Sequence, residues 1–268
     1  MKDKVVVITG ATSGIGKALA YEYSLKGSFV VICGRNLEKL QEIASDIESK
    51  NGEISFLQTD VSIESECKSL IDTAISKYGK IDVLINNAGI SMRANFETTD
   101  LLVIKRVMDV NFWGTVYCTK YALPYIIKEK GSIVGISSVA GITGLPGRSG
   151  YSASKFAING FLQCVRTENL KKDLHVLVAY PGFTATDIRR RSLTANGSPQ
   201  GESPRIEEKM MKPEEVAEHI YKAVRKRKKN IVLTAEGKVT SLLNKFFPEK
   251  IDNIIYKVMS REPDSPFK

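Results

Sequence analysis

Lys4-Val5-Val6-Val7-Ile8-Thr9-Gly10-Ala11-Thr12-Ser13-Gly14-Ile15-Gly16-Lys17-Ala18-Leu19-Ala20-Tyr21-Glu22-Tyr23 changes character twice within twenty residues. The first six are apolar and mostly β-branched, the pattern of a strand buried on both faces of a sheet. The last seven favour a helix. Between them, Gly10, Gly14 and Gly16 are spaced G-x-x-x-G-x-G rather than the commoner G-x-G-x-x-G. Strand, glycine turn and helix in that order aim backbone amides and the positive end of a helix at a phosphate. Gly10 permits a tight exit from the strand, Gly14 lets backbone approach a pyrophosphate, and Gly16 lets helix and strand pack closely.

Similar apolar runs recur downstream. They are Phe29 to Cys33, Ile54 to Leu57, Ile81 to Ile85, Ser132 to Ile136, Val176 to Ala179 and Ile231 to Leu233, with helical patterns between them. The alternation predicts a doubly wound α/β fold of the Rossmann type. It has one parallel sheet of about seven strands, helices on both faces and a site at the carboxyl ends of the strands. No linker splits the 268 residues, so the chain reads as one α/β domain, residues 1–235, with an extension over 236–268. The second run ends in Gly34-Arg35-Asn36, where a dinucleotide fold reads the adenosine ribose. An acidic residue there would bond the 2′-hydroxyl and repel a 2′-phosphate. Gly34 is neutral, and Arg35 carries a planar cationic fork suited to phosphate. The expected cofactor is therefore NADP(H), with NAD(H) as the alternative.

Tyr151 and Lys155 lie four residues apart in Tyr151-Ser152-Ala153-Ser154-Lys155, and Ser138 precedes the tyrosine by thirteen. On a helix, positions four apart share a face, so an ammonium would sit beside a phenol and pull its pKa down from about 10. Tyr151 then becomes a candidate proton donor and acceptor, with Ser138 beside it to hold a substrate oxygen. A tyrosine and a lysine on one face are also an ordinary packed ring and solvated amine. The glycine turn at the other end of the chain favours the chemical reading.

Taken in order, Thr9-Gly10-Ala11-Thr12-Ser13-Gly14-Ile15-Gly16, Asp60-Val61, Asn86-Asn87-Ala88-Gly89, Asn111, Ile136-Ser137-Ser138, Tyr151 to Lys155 and Pro181-Gly182-Phe183-Thr184 resemble the short-chain dehydrogenase/reductase family. The resemblance runs from residue 4 to about 235. It implies that Tyr151 exchanges a proton with the substrate oxygen, which Ser138 orients. Lys155 would lower the tyrosine pKa and hold the nicotinamide ribose, and Asn111 would fix a water between Lys155 and solvent. Thr12, Ser13, Gly14 and Ile15 belong to the phosphate turn, and Arg35 and Asn36 to the adenosine end. Asp60 and Val61 would meet the adenine, Asn87, Ala88 and Gly89 the ribose, and Pro181, Gly182 and Thr184 the nicotinamide. Alternation along a strand should turn Ser137 away from Ser138. The implied activity interconverts a carbonyl and a secondary alcohol on a largely apolar small molecule. A cofactor-sensing scaffold without turnover is the non-enzymatic alternative.

The remaining features bound this reading. Cys33, Cys67, Cys118 and Cys164 lack metal spacing and read as buried thiols, and His175 and His219 are too far apart to imply a metal. The chain opens directly into its first strand, and no apolar run is long enough to span a bilayer, which leads to the expectation of a cytoplasmic protein. A net charge of +9 is concentrated in Arg189-Arg190-Arg191 and in Arg225 to Lys229. Neither cluster is interleaved with aromatics, so nucleic acid is not expected. The second cluster reads as the solvated end of a helix running from Pro213 to about Lys228. Residues 184–212 form a polar, turn-rich connection, read as a mobile loop closing over substrate, and Arg189, Arg190 and Arg191 could reach an acidic group there. Apolar residues at helical spacing over 236–268, interleaved with lysines, predict an amphipathic helical extension. It would pack on the same domain or a partner, or touch a membrane surface. Apolar faces near 100–128 and 151–170, which the family pairs between subunits, imply a homodimer or homotetramer.

Overall fold

The computed structural model describes residues 1–205, 208 and 210–267; positions 206, 207 and 209 of the long loop and 268 of the tail lie outside the described residues. Its strands are β1 (Val5–Ile8), β2 (Phe29–Gly34), β3 (Ile54–Gln58), β4 (Val83–Asn86), β5 (Ser132–Ile136), β6 (His175–Tyr180) and β7 (Asn230–Val232). They form one sheet in the order β3-β2-β1-β4-β5-β6-β7, every pair parallel. The expected α/β fold with seven strands is what the chain adopts.

Alternation along β1 explains its all-apolar sequence, because both faces are covered. Val6 and Ile8 face the layer of α1 (Gly14–Leu25), α2 (Leu37–Ser49) and α7 (Pro213–Arg225). Val5 and Val7 face the layer of α3 (Glu64–Tyr78), α5 (Gly114–Lys128) and α6 (Ser149–Glu168). The strand order reverses between β1 and β4, which opens a crevice at their carboxyl ends. β4 begins two residues later than its apolar run because Asp82 is committed elsewhere. Its buried carboxylate accepts from Lys4 Nζ at 2.7 Å and the Val5 amide at 2.9 Å, pinning the start of β1.

Two expectations need revision. α7 ends at Arg225, and Arg227 adopts φ 47°. Its guanidinium donates to the Asp173 carbonyl at 2.6 Å and the Lys130 carbonyl at 3.1 Å, so the basic cluster ties two loops together as well as meeting solvent. Cys164 on α6 is exposed, unlike the other three cysteines. The described part of the 184–212 loop is folded back on the domain. Thr184 pairs with Met211, and Leu193 pairs with Met92 and Pro199. Leu193 is buried in a cluster with Met92 and Val103, the latter on α4 (Leu101–Met108), an anchor that its polar neighbours conceal in sequence.

The extension forms α8 (Ala235–Phe246) and α9 (Pro248–Met259), with Pro248 opening the second helix. Ile251, Ile255 and Met259 form one face of α9 and pack against Leu145 of the loop before α6, Leu243 of α8 and Phe267 of the tail. Asn244 of α8 adds a polar tie, its Nδ2 donating to the Ile142 carbonyl at 3.0 Å. The two helices therefore pack on their own chain. Among the described residues, no helix is long and apolar enough to cross a membrane.

Candidate active site

The crevice is a cleft of about 1020 Å³ that runs from the glycine turn to the start of α6. At one end, Gly10 and Gly14 take φ 65° and 55°, a conformation that disfavours side chains. A Cβ on Gly10 would stand 2.6 Å from Ala88 Cα, and one on Gly16 would run into the Gly10 carbonyl and the Asn87 amide. Thr9 and Asn87 brace this turn. Thr9 Oγ1 accepts from the Asn87 and Ala88 amides at 3.0 Å each, and Asn87 Nδ2 donates to the Thr9 carbonyl at 2.9 Å and the Gly10 carbonyl at 3.1 Å. Ser13 caps α1 without a side-chain bond, and the first turn of α1 holds no acidic residue. Free amides and a helix dipole are thus left facing the cleft, which suits a pyrophosphate.

Gly10, Thr12, Ser13, Gly14, Ile15, Arg35, Asp60, Val61, Asn87, Ala88 and Gly89 all line this cleft, as do Ser138, Tyr151, Lys155, Pro181, Gly182 and Thr184. Three expected residues do not line it. Gly16 sits behind the turn. Asn36 is used locally, its side chain accepting from the Lys39 amide at 2.8 Å to cap α2. Asn111 is fully buried within a π-helical turn, Asp109–Trp113, that joins α4 to α5.

Asn111 shows how the far end is built. Its Oδ1 accepts from the Ile90 amide at 2.8 Å, and its Nδ2 donates to the Ile90 carbonyl at 3.0 Å and to Ser154 Oγ at 2.9 Å. Ser154 Oγ in turn donates to the Tyr151 carbonyl at 2.7 Å. Through these bonds the Asn111 side chain braces the first turn of α6. Ser154 is a residue that sequence reasoning passed over, although it lies inside the tyrosine–lysine motif. Ser138 caps a short 3₁₀ turn, its Oγ accepting from the Ala140 amide at 3.2 Å, whereas Ser137 Oγ donates to the Lys155 carbonyl at 3.3 Å.

The electrostatics differ from the sequence reading. Lys155 Nζ donates to the Ile136 carbonyl at 2.8 Å and lies 5.6 Å from the Tyr151 ring centre. Burial raises the Tyr151 pKa above its ordinary value, opposed by the Ser138 hydroxyl and the Arg148 cation. Lys155 is itself pushed down to about 8 by burial. The net shift at Tyr151 is therefore upward, with Arg148 among the groups that oppose it.

A lysine whose folded pKa falls from 10.5 to about 8 opposes folding while it is charged. That cost is complete below pH 8 and is relieved as pH rises toward 10.5, where the unfolded chain also loses its proton. The stability of Lys155→Met relative to the parent should therefore fall by about 2–3 kcal/mol between pH 7 and 10. Urea unfolding at both pH values checks this; a difference independent of pH would show that Lys155 is not desolvated.

The other walls come from the C-terminal extension and from two loops. α8 and α9 contribute Val239, Leu243, Ile254 and Val258, and the loops contribute Arg148 and Arg205. The helical periodicity of 236–268 is plain in sequence, but not which surface it meets.

The sequence profile described as short chain dehydrogenase matches residues 4–197. The chain belongs to the short-chain dehydrogenase/reductase family, oxidoreductases that use a nicotinamide cofactor to act on alcohols and carbonyls. It is similar to "Dehydrogenase/reductase SDR family member 7B" of Danio rerio, at 36% identity over 90% of this chain and 81% of that protein. It is 42% identical to "11-beta-hydroxysteroid dehydrogenase-like 2" of Arabidopsis thaliana over 69% of this chain and 60% of that one. An alcohol dehydrogenase from the archaeon Thermococcus sibiricus, solved in complex with 5-hydroxy-NADP, shares the fold. Its TM-score is 0.77 at 23% identity, over 87% of this chain and 96% of that one.

Proposed function

We propose that the chain is an NADPH-dependent reductase that converts a carbonyl to a secondary alcohol on a largely apolar small molecule, and runs in reverse as an alcohol dehydrogenase. The observation that carries this reading is one continuous cleft, with Arg35 and the glycine turn at one end and Ser138, Tyr151 and Lys155 at the other. A dinucleotide bound along it would supply the hydride. The remaining work falls to the chain. Ser138 and Tyr151 hold the substrate oxygen, and Tyr151, kept protonated by burial, gives it a proton as negative charge develops. Lys155 would hold the ribose, and Asn111 keeps the first turn of α6 in position.

Asp60 and Val61 would receive the adenine, and Asn87, Ala88 and Gly89 the ribose. Pro181, Gly182 and Thr184 would flank the nicotinamide. The preference for the phosphorylated cofactor is supported by Arg35, by the lack of an acid beside it, and by the NADP derivative bound to the archaeal protein of the same fold. NADPH oxidation measured over a panel of ketones, aldehydes, steroids and acyl-thioesters tests the reading. Turnover of at least one class is expected, and none with any member would refute it.

The same reading extends to partners. Trp113 and Phe156 are 43% and 46% exposed on the outer face around α5 and α6, as an interface between two copies would require. Leu242, Phe246 and Phe247 are likewise exposed near Lys245 and Lys250, a pattern fit for an anionic membrane surface. Phe156→Glu should lower the mass found by light scattering, and unchanged mass would reject that interface. Replacing Leu242, Phe246 and Phe247 by Ser should reduce co-sedimentation with anionic vesicles while leaving the inner wall of the cleft intact; equal sedimentation would reject the membrane contact.

A further inference from the structure

Three arginines from separate parts of the chain meet one carboxylate beside the cleft. Glu262 follows α9 and is only 5% exposed. Its carboxylate lies 2.7 Å from Arg205 Nε, 3.3 Å from Arg148 Nη2 and 3.7 Å from Arg93 Nε. Arg93 also donates to the Pro263 carbonyl at 2.5 Å, and Arg205 lies over Phe183 at 3.7 Å from the ring centre. Three positive charges thus face one negative charge, and among the described residues no second carboxylate is paired with any of them.

Such an excess is costly where water is scarce. Arg148 is 7% exposed, and Arg93 Nε has no hydrogen-bond partner. Burial pulls the Arg148 pKa below its ordinary value, Glu262 opposes the shift, and Arg93 and Arg205 add to it. Arg148 and Arg205 both line the cleft that holds Tyr151, so an anion entering there would relieve the imbalance. The neighbouring wall is apolar, formed by Leu243, Ile254, Ile255 and Val258.

We propose that the cleft takes amphipathic substrates, whose apolar body lies on α8 and α9 and whose carboxylate or phosphate is bound by Arg148 and Arg205 beside Glu262. This rests on the reductase reading and supplies the substrate class that it leaves open. Glu262 keeps the guanidinium groups in place between turnovers and competes with the incoming anion. The substrate anion is therefore held by arginines already gathered, which reduces the ordering cost of binding.

Calorimetric titration of the full chain loaded with NADPH, using decanoate and 1-decanol, tests this, since the two share a chain length and differ in charge. The parent should bind decanoate at least about tenfold tighter than decanol, as one charge-assisted contact implies. R148Q/R205Q should lose that preference and keep its affinity for decanol, and E262Q should bind decanoate several-fold tighter. No preference in the parent, or a preference retained in R148Q/R205Q, overturns the proposal. Should the double variant lose both ligands through misfolding, E262Q decides: a gain supports the site and no gain overturns it. NADPH binding, read first by fluorescence, separates the two readings. Its absence refutes the reductase assignment, while decanoate titrated alone still tests the arginines.

Discussion

Tyr151→Phe should lower kcat for carbonyl reduction by about 10²- to 10⁴-fold, the range that a positioned general acid contributes. The substitution deletes one hydroxyl and keeps the ring, which packs against the buried cluster that includes Met92, Val107 and Leu193. Fold and cofactor affinity should therefore match the parent, and the loss should appear in kcat. Burial raises the phenol pKa, so Tyr151 stays protonated through neutral pH and is available as a donor to a carbonyl. Reduction should consequently show no loss from tyrosine ionisation between about pH 6 and 8. Single-turnover kinetics on a substrate from the carbonyl panel, with NADPH binding measured separately, provides the check. A Tyr151→Phe protein with the parent's kcat would remove Tyr151 as the proton donor.

The fold is legible in sequence because its signals are local. A β-branched run such as Val5 to Ile8 has few places to go other than a strand covered on both faces, and glycines at 10, 14 and 16 announce the turn that follows. The lining of the cleft is legible for the same reason, since most of its stretches lie at the carboxyl end of a strand or the start of a helix. What could not be read depends on distant contacts. Nothing in sequence says that Asn111 will spend its amide on Ile90 and Ser154, or that Asn36 will cap α2. The balance between desolvation and charge at Tyr151 needs the depth of the pocket and the position of Arg148. Glu262 lies 114 residues from Arg148 along the chain, so only folding reveals that they meet. In α8 and α9 the period is visible, but an amphipathic helix pattern does not name the surface it will cover.

Arg35→Ala should weaken NADPH binding by about 10- to 100-fold and leave NADH unchanged, because a charge-assisted hydrogen bond contributes about 1.5–3 kcal/mol. The surroundings favour a clean result. The backbone at Arg35 is held by Gln58 Nε2, 2.9 Å from its carbonyl, and the next residue is fixed as the cap of α2. The guanidinium itself is exposed and makes no bond among the described residues, so its removal leaves no partner stranded. A neutral side chain cannot attract the 2′-phosphate, whereas a 2′-hydroxyl never needed the cation. Arg35→Asp should go further, repelling the phosphate and offering the hydroxyl an acceptor, so that NADH becomes the better ligand. Arg35→Lys separates charge from geometry: it keeps the cation but lacks the planar fork, and an intermediate affinity is expected. Fluorescence titration of both cofactors against the parent and the three variants gives the ratio directly. If Arg35→Ala binds NADPH as the parent does, the cation at the end of β2 is a surface arginine and the enzyme's preference must be sought elsewhere.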